Sequence, residues 1–127
     1  MNQFQQIGST LMTAVMLLAI APTAMADAAA GKAIYDGKGA CASCHGIAGK
    51  GDGAAAAALN PKPRDFSTGD FVLDTDGDGK TGTEADLFNV IKDGAAKYGG
   101  AATMPGRADI PDAEIKALAV YVLSLQN

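Results

Sequence analysis

The chain has no tryptophan, one histidine and two cysteines among its 127 residues. A single histidine, His45, excludes any centre needing two imidazoles from one chain. Two cysteines and one histidine also fall short of the four or so ligands of a tetrahedral zinc site. Aromatic side chains are few. Phe4 aside, they are Tyr35, Phe66, Phe71, Phe88, Tyr98 and Tyr121. A core built from these is short of bulk, and something else must supply it. Strand-length alternation of apolar and polar residues is missing as well, and so is any internal repeat, which predicts an all-α chain with long loops.

Positive charge is absent where an export signal would normally carry it, since residues 1–10 contain no Lys or Arg. In other respects the N-terminus reads as a signal peptide. Residues 11–21 form an apolar run of h-region length, shorter than the roughly 18 residues a membrane span needs. Ala24-Met25-Ala26 places small residues at both positions a signal peptidase reads. The expected organisation is therefore a cleaved signal peptide over 1–26 and one domain over 27–127, in the periplasm, with no membrane span after cleavage and a monomer as the expected state. Every charged side chain lies in the second part, so its formal net charge is that of the whole chain, −4. An acidic surface excludes nucleic acid as a natural partner.

What the chain does have is Cys41-Ala42-Ser43-Cys44-His45, which uses both cysteines and the only histidine. Two thiols three apart reach the two vinyl positions along one porphyrin edge, while the following imidazole turns under the iron. A Cys41–Cys44 disulfide would close a loop too short to stabilise much. A thioredoxin-like pair would sit in a βαβ context that this sequence lacks. The motif therefore predicts one covalently bound haem c, whose porphyrin supplies the missing apolar bulk. Met104 is the evident sixth ligand. Cleavage after Ala26 removes Met1, Met12, Met16 and Met25, and Met104 lies in a Gly- and Pro-punctuated loop rather than in a helix stripe. Thioether sulfur favours ferrous iron and closes it to small ligands, so the expected function is one-electron transfer with no substrate turnover. If Met104 does not bind, the alternative is a haem enzyme or gas sensor. A further alternative is an electron-transfer subunit of a larger oxidoreductase.

The frame around the motif is helical. Residues 27–37 read as a first helix, with Gly31, Ile34 and Tyr35 on one face and Gly31 marking a close approach by another element. Residues 84–94 form an amphipathic helix through Leu87, Val90 and Ile91, with Thr83 as N-cap and Asp86 a weak reciprocal partner. The last helix starts near Pro111 or Asp112 and buries Ile115, Leu118, Ala119, Val122 and Leu125, with Tyr121 beside them.

Gly31-x-x-x-Tyr35, Cys41-x-x-Cys44-His45-Gly46, Met104-Pro105 and a last helix carrying Leu118 and Tyr121 together resemble a small class I c-type cytochrome. The resemblance implies a cytochrome c fold with crossing first and last helices. It implies Cys41 and Cys44 as attachment points, His45 as proximal ligand and Met104 as distal ligand. Reductases, oxidases or dehydrogenases are the implied partners. It also implies a proline carbonyl that orients His45, from Pro61 or Pro63. One insertion departs from the smallest members of that family. Asp74, Asp76 and Asp78 before Gly79 match the opening of a calcium loop, but the closing acid, Glu84, falls one position early. A structural calcium on Asp74, Asp76, Asp78 and Glu84 is weighed there against an ordinary solvated turn.

Overall fold

A computed structural model describes residues 23–127; the apolar run expected to lead a signal peptide lies outside these described residues. Among the described residues four α-helices follow one another: α1 (Thr23–Asp36), α2 (Ala42–His45), α3 (Glu84–Asp93) and α4 (Asp112–Ser124). Short 3₁₀ turns interrupt the loops at Ala56–Ala58, Phe66–Thr68 and Ala95–Tyr98. Among the described residues there is no strand, and an isolated bridge pairs Gly94 with Pro105. No helix among them is long and apolar enough to cross a membrane. Within the described residues helix α1 runs from Thr23 through the expected cleavage position, four residues ahead of the start read from the sequence, because the alanine-rich stretch that follows Thr23 has strong helix propensity.

The first and last helices pack directly on each other, and Gly31 is what lets them meet. A Cβ there would stand 2.1 Å from the Ala117 carbonyl oxygen and 2.7 Å from the Tyr121 Cβ. Next to this contact the rings of Tyr35 and Tyr121 meet edge to face, 5.2 Å between centroids at 68°. Around them lie Leu87, Ile110, Ile115, Leu118, Ala119 and Val122, all buried. Phe66 extends the same cluster toward the Cys41–His45 turn.

Asp86 carries more than the weak cap predicted for it. The box with Thr83 is complete, the Asp86 amide donating to Thr83 Oγ1 while the Thr83 amide and hydroxyl donate to Asp86 Oδ2 at 3.0 and 2.8 Å. Its other oxygen accepts from the Thr75 amide and hydroxyl at 2.7 and 2.9 Å. Asn89 Nδ2 donates to Thr75 Oγ1, closing the network. A carboxylate with this many local donors fastens the whole inserted loop to the first turn of α3. That arrangement depends on a residue eleven positions upstream, which helix-cap rules do not consider.

Two predictions follow from this packing. Gly31→Ala should lower unfolding free energy by about 1–3 kcal/mol in urea denaturation, the usual cost of overpacking, and an unchanged midpoint would contradict the close approach. Burial pushes the Asp86 carboxyl up, but the bonds from Thr75 and Thr83 outweigh it and hold the pKa below its ordinary 3.8. Its contribution is thus fully present above that value and is lost as pH falls through the lower folded-state value. Asp86→Asn should therefore cost about 1.5–3 kcal/mol at neutral pH, with the gap to wild type narrowing in acid. A gap independent of pH would mean that the charge is not what Thr75 and Thr83 hold.

Candidate haem site

Helix α2 is a single turn that places Cys41, its N-cap, on the same side as Cys44 and His45, at helical offsets of three and four. Gly46 ends it with φ +85, a left-handed backbone conformation that favours glycine. The loop that follows turns back on the helix. Amides of Gly51, Gly53 and Ala55 donate to the carbonyls of His45, Cys44 and Ser43 at 2.8, 3.0 and 2.9 Å, satisfying the end that so short a helix leaves open. Tyr35 adds a link from α1: its buried hydroxyl donates to the Gly46 carbonyl at 2.7 Å.

The His45 ring is held on two sides. Its Nδ1 donates to a backbone carbonyl at 3.1 Å, and that carbonyl belongs to Arg64, not to Pro61 or Pro63 as the resemblance implied. The extended run through Pro61-Lys62-Pro63 reaches the ring only at its following residue, and Phe66, two positions on, fills the space over the imidazole. The rings of Phe66 and His45 stack 4.4 Å apart at 21°, and Phe71 continues the stack on Phe66 at 5.9 Å. Burial pushes the imidazole pKa down, opposed by the Arg64 carbonyl. The neutral form is thereby favoured with Nδ1 protonated and Nε2 free, which is the form that ligates a metal. Neither the Arg64 carbonyl nor the Phe66 stack has a signature in the sequence beyond apolar Phe66 and Phe71 near two prolines.

Cys41, Cys44, His45 and Met104 all line one cavity of about 1080 Å³. That is just above the range of roughly 300–1,000 Å³ for ligand and cofactor pockets. Its walls are mostly apolar, from Leu59, Phe66 and Phe71, the Leu87, Val90 and Ile91 stripe of α3, and Leu118 and Val122 of α4. Both cysteines are free thiols, and burial pushes that of Cys41 up, opposed by the nearby Arg107. Met104 reaches the cavity from a loop tied to the end of α3, where the Ala95 amide donates to the Met104 carbonyl at 3.2 Å. Met25, by contrast, is 72% exposed on α1 and does not line the cavity. The donor set fits a covalently held haem: two free thiols on one face of a turn, a neutral imidazole beside them, a thioether in the same cavity, and apolar walls for a porphyrin.

The inserted loop gathers only part of its expected ligand set. Asp74, Asp76 and Asp78 have carboxylate oxygens within 4.8 Å of one another, while Glu84 stands apart as the first residue of α3. Those three carboxylates are turned onto backbone amides. Asp74 accepts from Gly77, Asp78 and Gly79, Asp76 from Asp78, and Asp78 from Lys80.

Comparison with known proteins agrees with this geometry. Among solved structures, the chain is similar to a subunit of a reducing HAO-like protein complex of Kuenenia stuttgartiensis, with a TM-score of 0.62 and 31% sequence identity over 80% of this chain. That subunit is longer, and the match spans 44% of it. No curated protein matches the sequence. The cytochrome c family profile matches residues 28–126, which takes in all four helices but for the start of α1, along with the cysteine turn and the Met104 loop. The chain belongs to the cytochrome c family, as an all-α c-type cytochrome that binds haem for electron transfer.

Proposed function

We propose that this protein is an exported one-electron carrier with His45 and Met104 as axial ligands of a single haem joined to Cys41 and Cys44. The observation that carries the proposal is the convergence of all four side chains on one apolar cavity. The haem supplies a one-electron Fe(III)/Fe(II) couple. The chain's own residues bind, orient and shield it. Thioether bonds from Cys41 and Cys44 fix one porphyrin edge to α2. The Arg64 carbonyl and the Phe66 ring set the rotation of His45 and hold Nε2 toward the cavity. Leu87, Val90, Ile91, Leu118 and Val122 exclude water from the buried face. Met104 closes the remaining axial position, raises the reduction potential and leaves no open site for substrate turnover. The mature chain is read as 27–127, in the periplasm and monomeric, exchanging electrons with a reductase, oxidase or dehydrogenase. In this reading the carboxylates of Asp74, Asp76 and Asp78 serve as turn caps rather than as a calcium cage, since each already accepts from backbone amides.

A second reading has its own support. The similar solved structure is part of a protein complex and its subunit is more than twice as long as the matched region. An electron-transfer subunit of a larger oxidoreductase would keep the same haem site and differ in its permanent partner.

Met104→Ala is the direct test of axial ligation. The ferric protein should lose the weak sulfur-to-iron band at the red end of its spectrum, the reduction potential should fall, and the ferrous protein should bind carbon monoxide. Persistence of the band, or unchanged resistance to carbon monoxide, would remove Met104 from the iron. Export and assembly are read together from the protein purified from its native source. Intact mass should start at Asp27 with one haem added, and size exclusion should show a single chain. A co-eluting oxidoreductase subunit would move the conclusion to the second reading, and a mass that includes residues 1–26 would overturn export by cleavage.

A further inference from the structure

Two parts of the site are joined by a side chain that neither the family match nor the ligand set singles out. The Met104 segment is tied by its backbone to the end of α3. The Ala95 amide donates to the Met104 carbonyl at 3.2 Å, and the Arg107 amide donates to the Ile91 carbonyl at 2.8 Å. Among the described residues, no backbone hydrogen bond connects that segment to the cysteine turn across the cavity. The Arg107 guanidinium makes the connection. Its Nη1 donates to the Gly39 carbonyl at 2.6 Å and its Nη2 to the Lys38 carbonyl at 3.2 Å, nearly seventy positions back along the chain. Its Nε and Nη2 donate to the Asp109 carboxylate at 2.9 and 3.0 Å, which orients the fork. Arg107 lines the cavity with its side chain only 27% exposed.

We propose that Arg107 is a positioning residue that clamps the Met104 loop to the segment leading into Cys41 and so keeps Met104 on the iron. The inference rests on the reading of Met104 as the distal ligand. Bonds from a guanidinium to two carbonyls, the Gly39 one partly buried, are charge-assisted and stronger than an exposed ion pair such as Arg107–Asp109 alone. They are made only when the loop lies against the Lys38-Gly39 corner, so they stabilise the closed form selectively. Lysine would keep the charge but offers one compact donor group, which does not span both carbonyls and Asp109 at once. An external ligand enters only when Met104 has left. Its apparent affinity therefore scales with the population of the open form.

The test is imidazole titration of the ferric holoprotein, followed by absorbance, for wild type, Arg107→Gln, Arg107→Lys, Met104→Ala and the double variant Arg107→Gln with Met104→Ala. Arg107→Gln should bind imidazole about tenfold more tightly, equivalent to about 1.4 kcal/mol of lost closure, and Arg107→Lys should fall between it and wild type. With Met104→Ala no loop ligand has to be displaced, so adding Arg107→Gln should leave the affinity unchanged. Equal tightening in both backgrounds would overturn the proposal, because it would show a structural effect that does not pass through Met104. No tightening in Arg107→Gln, where Met104→Ala alone does tighten binding, would also overturn it. If Met104→Ala itself leaves the affinity unchanged, the distal-ligand reading fails and takes the clamp with it, a pattern distinct from the other two. Should Arg107→Gln not accumulate as folded holoprotein, Asp109→Asn frees the fork from its orienting carboxylate. That variant should tighten imidazole binding by the same route, and an affinity equal to wild type would count against the clamp.

Discussion

The approach of α1 to α4 at Gly31 is the constraint on which the rest of the site depends. With no side chain at that position, the Ala117 carbonyl and the Tyr121 Cβ come to where a Cβ would otherwise stand. The close crossing brings Tyr35 onto Tyr121 and, one helical turn beyond Gly31, aims the Tyr35 hydroxyl at the Gly46 carbonyl. Gly46 follows His45 directly. The position of the imidazole is therefore set in part by a backbone contact at the far end of the same tyrosine, and a change at Gly31 would reach the site without touching it.

The packing of α3 shows what the cavity is for. Leu87 is buried, yet Val90 and Ile91, on the same stripe, are only half-buried and face the cavity. A stripe of that kind is normally covered by protein in a globular domain. Here the chain has no tryptophan and few other large side chains to cover it. The porphyrin of a c-type cytochrome supplies that surface, so the cofactor serves as part of the hydrophobic core as well as the redox centre.

Much of this was legible in the sequence, and what was missed shares a physical character. The cysteine turn, the Gly31 contact, the Thr83 cap of α3 and the stripe of α4 all follow from local spacing, which is what period and cap rules read. Misplaced features depend on backbone atoms or on partners distant in the chain. The carbonyl beside His45 comes from Arg64 rather than Pro61 or Pro63, and any residue type offers a carbonyl. Asp86 was read only as a helix cap because its second pair of donors sits on Thr75, in a loop without periodicity. Glu84, the acid that falls one position early for the close of a calcium loop, is placed by Thr83 capping as the first residue of α3, outside the group of Asp74, Asp76 and Asp78. Elimination singles out Met104 only if the signal peptide is cleaved. For Met25 the geometry makes that premise unnecessary, because Met25 is exposed on α1 and remote from the cavity lining.

The two sides of the cavity are built by different means, and that asymmetry bears on function. The proximal side is local: Cys41, Cys44 and His45 lie in one helical turn, and the loop after it returns to satisfy that turn's carbonyls. Such a unit forms with little loop-closure cost and, once its thiols are bonded to a porphyrin, has no independent way to move. The distal side is non-local, since Met104 depends on the end of α3 for its backbone bonds and on the Arg107 fork for its link to the other wall. On the proposed ligation by His45 and Met104, the distal position is therefore the one that opens first when the fold is strained. An electron carrier needs both positions to stay closed through each redox cycle, because reorganisation of a ligand slows transfer and an open iron invites other chemistry. The added bonds of Arg107 fall on the Met104 side, where the local chemistry of the cysteine turn gives no help.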